Sequence, residues 1–326
     1  MERLKKNLIL ALGLGIVVYV ALAIFSGLDR LEKALDGFQW SLVPVILGLV
    51  ALSYVGRYLR WNYYLKVWKI SIPHRLNIPI CAAGLSMAIS PGKLGEVLKS
   101  VFVRRVTGVP IARTASTVVA ERATDGTGMV AWGMLGALTF SFGPGVLVLF
   151  LAVTVGGIVV LRSKRLSLLA ERVLEKVPVL NKLAPHLSDF HGASSELLSL
   201  RSLAVGSVFS FVSWGLECTA VYLCSVGIGA GQPFLVVVFI FAVSSLLGVG
   251  SMLPGGIGAA EASLNGLFKF SAGLSAGMAV GLTFLIRLAT LWFATLIGVG
   301  GLLLVRYMIG DVIPDEPADI SPESGR

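Results

Sequence analysis

The chain has 326 residues, of which 56% are hydrophobic and only 14% charged, with mean hydropathy +0.86. A soluble globular domain carries roughly 25% charged residues, so that class is excluded, and the composition is that of a polytopic α-helical membrane protein. The net charge of +9 sits in separate loops between apolar runs, the pattern that orients a membrane protein, and it does not point to nucleic acid.

In chain order, Met1 to Lys6 is basic and residues 8–28 form a first apolar run, expected to cross outward from a cytoplasmic N-terminus. The mixed-charge segment 29–39 is then external, and a second helix over 41–60 returns the chain to the inside. That helix ends in Arg57-Tyr58-Leu59-Arg60-Trp61, which reads as an interfacial anchor, and Lys66, Lys69 and Arg75 follow without an acid. Residues 77–106 are a poor span because Pro91-Gly92 interrupts them and Lys93, Glu96, Lys99, Arg104 and Arg105 follow. They fit a broken, re-entrant hairpin shielded by protein or by a wet cavity. A helix over 115–141 carries Glu121, Arg122 and Asp125 in its first part. Residues 145–161 cross back to Arg162, Lys164 and Arg165.

The polar stretch 162–201 has seven Lys/Arg against four Asp/Glu and a helical spacing of leucines and valines, as expected of an amphipathic cytoplasmic linker. A helix over 203–226 carries Glu217 within its apolar run. A second broken segment, 234–270, bends at Pro254, and a last helix over 276–305 holds Arg287 near its middle. Residues 309–326, with Asp311, Asp315, Glu316, Asp319 and Glu323, read as a disordered acidic cytoplasmic tail.

The two broken segments share a signature. Ser90-Pro91-Gly92-Lys93-Leu94-Gly95-Glu96 and Leu253-Pro254-Gly255-Gly256-Ile257-Gly258, followed by Glu261, each break an apolar run with Pro-Gly and place a Gly four residues after the proline. The second helix of each half starts 50 and 51 residues before the tip proline, at 41 and 203. Arg122 and Arg287 lie 31 and 33 residues after it. The expected architecture is therefore a single all-α membrane domain over 1–308, built as an inverted repeat. Its halves, 8–141 and 145–306, together hold about six full-span helices and two opposed re-entrant hairpins.

A helix restarting at Pro91 or Pro254 would present free N–H groups and a positive dipole end to an anion. Gly92, Gly95, Gly255, Gly256 and Gly258 would leave that backbone open to approach, with Lys93, Arg122 and Arg287 adding full charges. Glu96, Glu121, Asp125 and Glu261 would balance those charges, bind a cationic headgroup or carry protons. The same Pro-Gly pattern also serves as a helix kink, and Arg287 bridged to Glu217 or Glu261 would serve as a purely structural pair. Cys81, Cys218 and Cys224 and the three histidines lack metal-ligand or disulfide spacing, so neither metal nor cofactor is expected.

Arg57 to Trp61, the Ser90–Glu96 motif, Glu121-Arg122 with Asp125, and the Leu253–Gly258 motif with Glu261 together resemble the lysylphosphatidylglycerol synthase transmembrane, or flippase-like, family over residues 5–308. The resemblance implies a multi-pass plasma-membrane protein that handles lipids, and the family's soluble synthase domain, with its aminoacyl transfer, is not expected here. The expected function is translocation of an anionic phospholipid or a polyprenyl-phosphate-linked lipid between leaflets. A membrane transferase using Glu121 or Asp125 as general base, or a non-catalytic partner of a lipid-synthesising enzyme, are the alternatives.

Overall fold

The computed structural model describes residues 35–89, 94–140, 143–162 and 199–310, with the single positions 32 and 197. The first apolar run, the tip residues Pro91, Gly92 and Lys93, most of the 162–201 linker and the acidic tail lie outside the described residues.

All regular structure among the described residues is helical. After a 3-10 turn at Trp40–Leu42, helix α1 spans Val43–Val67, with Pro44 in its first turn where a missing N–H costs nothing. Helix α2 (His74–Leu85) leads through a turn into the first tip, followed by a 3-10 turn (Leu94–Val97) and α3 (Leu98–Thr107). Gly108, at φ 74°, ends α3 and receives the chain before the long α4 (Ile111–Ala137). Helix α5 (Gly143–Arg162) precedes α6 (Leu200–Gly227), whose first turn is capped by Ser199 accepting from the Ser202 N–H. Helix α7 (Phe234–Gly250), a loop and α8 (Ala259–Phe270) form the second broken segment. Helix α9 (Ala276–Arg287) then passes through a π-helical segment, Leu288–Trp292, into α10 (Phe293–Ile309).

Among the described residues, three helical stretches are long and apolar enough to span a bilayer: Trp40–Val67, Leu200–Gly227 and Ala276–Ile309. The helices expected over 115–141, 145–161, 203–226 and 276–305 have ends within about four residues of those observed, but α1 differs. It continues to Val67, seven residues past the anticipated end at residue 60.

Helix α1 packs along α6, and the helices that lead into the two Pro-Gly motifs pack crosswise between the halves of the chain: α2 lies on α10, and α7 lies on α4. Both crosswise contacts use glycine to bring backbones together. A Cβ at Gly136 of α4 would stand 2.5 Å from the Leu235 carbonyl, and one at Gly298 of α10 would collide with Leu85 and Ser86. One apolar core joins α1, α4, α6, α7, α8 and α9 around Val221, Phe239, Phe268 and Ile286. A second, around Trp61, Tyr64, Ile80 and Phe102, joins α1, α2 and α3. Between them, Ala88 and Ile89 of the first tip meet Ile257 of the second and Leu291 of the π-helical segment.

Candidate functional site

The tips are held by charge. In the second, the chain turns through Leu253 to Gly258 with the Gly256 N–H donating to the Leu253 carbonyl and the Ile257 N–H to that of Pro254. Gly255, Gly256 and Gly258 sit at φ 62°, 65° and 93°, a region that side chains with a Cβ enter only at a cost. The helix restarts at Ala259, not at Pro254 as expected from the motif. Gly258 is its N-cap, and the Gly258 N–H donates to Oε2 of Glu261 at 2.7 Å. Part of the anticipated anion site is thus taken by an internal carboxylate, because the Pro-Gly-Gly-Ile-Gly run spends five residues on the turn before α-helical backbone resumes. The other Glu261 oxygen accepts from Nε of Arg287 at 2.6 Å, while Nη2 of Arg287 donates to the Gly255 carbonyl at 2.8 Å.

The first tip is tied in the same manner. Glu96, in the 3-10 turn that also contains Gly95, pairs with Arg122 of α4 at 3.1 Å. Both pairs join residues 26 apart in sequence.

Arg122 continues into a larger network. Its Nη2 lies 3.0 Å from Asp125, which also pairs with Arg60 at 2.7 Å and faces Arg57 at 3.8 Å. Arg57 pairs in turn with Glu217 at 2.7 Å, and Glu217 also accepts from the Ser53 hydroxyl at 2.9 Å. Three guanidinium groups and three carboxylates (Glu96, Asp125 and Glu217) are therefore linked from the first tip to α6. The Nε–H groups of Arg57, Arg60 and Arg122 have no protein acceptor, which leaves polar valence for water beside the network. Glu121 lies apart, paired with the buried Lys99 at 2.6 Å, while Lys99 also stands over the Trp61 ring.

Arg57 to Trp61 is therefore not an interfacial anchor. Arg60 is 1% and Trp61 0% exposed, inside the helix rather than at its end. Asp125 of α4 and Glu217 of α6 supply the counter-charges that let Arg57 and Arg60 stay inside. Trp61 donates its indole N–H to Asn77 of α2 at 2.8 Å.

A cavity of about 100 Å³ lies where these elements converge. Leu85, Ala88 and Glu96 come from the first broken segment, and Gly248, Leu253, Gly255, Gly256 and Ala260 from the second. Arg57, Glu217 and Arg287 add charge, and Tyr54, Trp214, Phe241 and Leu291 complete the wall. Of the expected site residues, Glu96, Gly255, Gly256 and Arg287 thus meet in one cavity. Arg122, Asp125 and Glu261 stand behind it as ion-pair partners, and Pro254 and Gly258 belong to the second tip's turn. Arg57 and Glu217 are cavity residues that motif reading left out of the site. For Glu217 the signal was present, since an acid within an apolar run needs a partner or a function. Val249 and Leu253 line the cavity and are 39% and 44% exposed, so part of its apolar lining is accessible.

Residues 10–298 match the family described as the lysylphosphatidylglycerol synthase TM region. The chain belongs to this family. It is 26% identical over 318 residues to a UPF0104 membrane protein of Methanothermobacter thermautotrophicus, covering 91% of this chain and 93% of that protein. A UPF0104 membrane protein of Pyrococcus horikoshii is 24% identical over 331 residues, at 93% and 97% coverage. The family region spans both tips, the Asp125 network and the cavity.

Proposed function

We propose that this member of the lysylphosphatidylglycerol synthase transmembrane family is a lipid translocase in the plasma membrane, moving a phosphate-bearing lipid between leaflets. The observation that carries this reading is the cavity itself. Its lining divides into charged side chains, Arg57, Glu96, Glu217 and Arg287, and apolar ones, among them Val249 and Leu253, which are also exposed. That division suits a molecule whose headgroup enters protein while its chains stay in hydrocarbon. An anionic phospholipid or a polyprenyl-phosphate-linked lipid has this build.

The cycle we infer uses the two broken segments as opposed re-entrant hairpins of an inverted repeat, rocking about the cavity. Three observations support it: α2 on α10 is matched by α7 on α4, each crossing relies on a glycine, and each tip glutamate pairs with an arginine 26 residues later. In this arrangement both termini are cytoplasmic.

The test is reconstitution into vesicles containing fluorescent phosphatidylglycerol, with a membrane-impermeant quencher reporting leaflet exchange. Exchange by the wild type that Arg287→Ala lowers at least tenfold is the expected result. Equal rates for the two proteins with every lipid class tried would overturn it.

A further inference from the structure

Resting on the translocase reading, we propose that Glu217 takes up one proton for each monoanionic headgroup that enters the cavity, making the protein a proton-coupled carrier.

The starting point is neutrality. Arg57, Arg60 and Arg122 are balanced by Glu96, Asp125 and Glu217, and Arg287 by Glu261. Among the described residues every cation lining this cavity is already paired, so a phosphate monoanion entering it adds a charge that they leave uncompensated, and in a poorly solvated interior such a charge is strongly disfavoured. It must take a cation from an existing carboxylate, and a proton on that carboxylate restores the balance.

Geometry selects which one. Asp125 is held by Arg60 and Arg122 and faces Arg57. Glu261 is fully buried between Arg287 and the Gly258 N–H. Glu121 is closed off with Lys99 away from the cavity wall, and Glu96 is tied to Arg122. Glu217 lines the cavity, and Arg57 is its paired cation. Arg57 also lines the cavity and has a second carboxylate, Asp125, 3.8 Å away. A phosphate therefore meets Arg57 at the cavity wall and draws it off Glu217, and Asp125 keeps the displaced guanidinium from being stranded.

The groups facing Glu217 fit this exchange. From α1 come Ser53, whose hydroxyl can donate to either form, Tyr54 and Arg57; from α4, Asp125 beyond Arg57; from the first tip, Glu96; from α9, Arg287; on α6 itself, Trp214 and Cys218. The proton comes from hydronium of the bulk solution, reaching the cavity through water: an O–H bond of the hydronium breaks, leaving water, and an O–H bond to one Glu217 oxygen forms.

Two measurements test this. Short-chain phosphatidylglycerol is added to the detergent-solubilised wild type in weakly buffered solution with a pH dye, beside short-chain phosphatidylcholine. About one proton per bound phosphatidylglycerol, and none with phosphatidylcholine, is expected. An absence of uptake, whether or not the lipid binds, overturns the proposal. In vesicles, phosphatidylglycerol exchange should accelerate as pH falls by up to about tenfold per unit, the slope of a single proton. Glu217→Gln should flatten that slope and Glu217→Asp should retain it. A Glu217→Gln profile parallel to wild type overturns the coupling and leaves the translocase reading intact. Proton uptake on binding, with no leaflet exchange at any pH, sinks the translocase reading instead.

Discussion

Arg287 grips Glu261 at 2.6 Å and the Gly255 carbonyl at 2.8 Å, so one side chain in the closing helix holds both the turn and the restart of the second tip. Glu261 is 0% exposed, and losing its guanidinium would leave an uncompensated charge in the protein interior. Breaking a buried pair from one side typically costs about 3–5 kcal/mol, whereas removing both charges costs far less. Arg287→Ala should therefore lower the unfolding midpoint in detergent markedly, and Arg287→Met with Glu261→Gln should recover most of the loss. Arg122→Ala should be milder, because the Arg122 side chain is 23% exposed and water replaces part of what it gives Glu96.

Asp125 is the centre of the larger network, and its loss is a different experiment. It takes charge from Arg60, Arg122 and Arg57 together, with Arg60 only 1% exposed. Asp125→Asn keeps the volume but leaves three guanidiniums to share Glu96 and Glu217. A loss of about 3–5 kcal/mol is expected on the same buried-charge argument, with Arg60→Met in the Asp125→Asn background restoring part of it. Thermal unfolding of the two variants checks this, and an additive double mutant would show that Arg60 and Asp125 are uncoupled.

What could be read beforehand, and what could not, follows from the range of each signal. Apolar runs, Pro-Gly breaks and loop charge are local, and they placed α4 to α10 within a few residues and singled out Arg287 and Glu261. The extension of α1 was missed because Arg57, Arg60 and Trp61 look interfacial until their partners are known. Those partners lie far away in the chain: Glu217 is 160 residues from Arg57, and Asp125 is 65 from Arg60. No spacing rule connects such positions, since the pairing exists only once α1, α4 and α6 pack. The helix start at Ala259 was missed for a local reason, because three glycines in left-handed backbone extend the turn beyond the proline.

The packing of α2 on α10 and of α7 on α4 makes a prediction about glycine. A Cβ at Gly298 would enter the backbone of Leu85 and Ser86, which cannot move without shifting α2, whereas a Cβ at Gly300 meets nothing within 4 Å. Gly298→Ala should cost about 1–3 kcal/mol through overpacking, and Gly300→Ala should be neutral or slightly stabilising. Gly136→Ala should resemble Gly298→Ala, since it presses α4 onto the Leu235 carbonyl and Phe239 of α7. The unfolding midpoints of the three variants decide it.

The proposed opposed orientation of the tips can be tested with thiols. After replacement of Cys81, Cys218 and Cys224, single cysteines at Met87 and Met252 place one label beside each bend. In sealed vesicles of known orientation, an impermeant maleimide should reach Met87→Cys from one face and Met252→Cys from the other. Labelling of both from the same face would overturn the inverted arrangement.

Among the described residues, two outside the glycines hold left-handed backbone: Met252 at φ 54°, just before the second tip, and Lys69 at φ 57°, just after α1. Such a conformation costs an L-residue roughly 1–2 kcal/mol, and glycine escapes it while losing about 0.5–1 kcal/mol to its freer unfolded chain. Met252→Gly and Lys69→Gly should each raise the unfolding midpoint slightly. Met252→Val should lower it, because a β-branched side chain is the poorest fit to this region. The Met252 side chain is 57% exposed, so little packing is lost in either exchange and backbone preference decides the order. The expected ranking is Gly above Met above Val, and a Val variant as stable as wild type would mean that the backbone at Met252 is not left-handed in the bilayer.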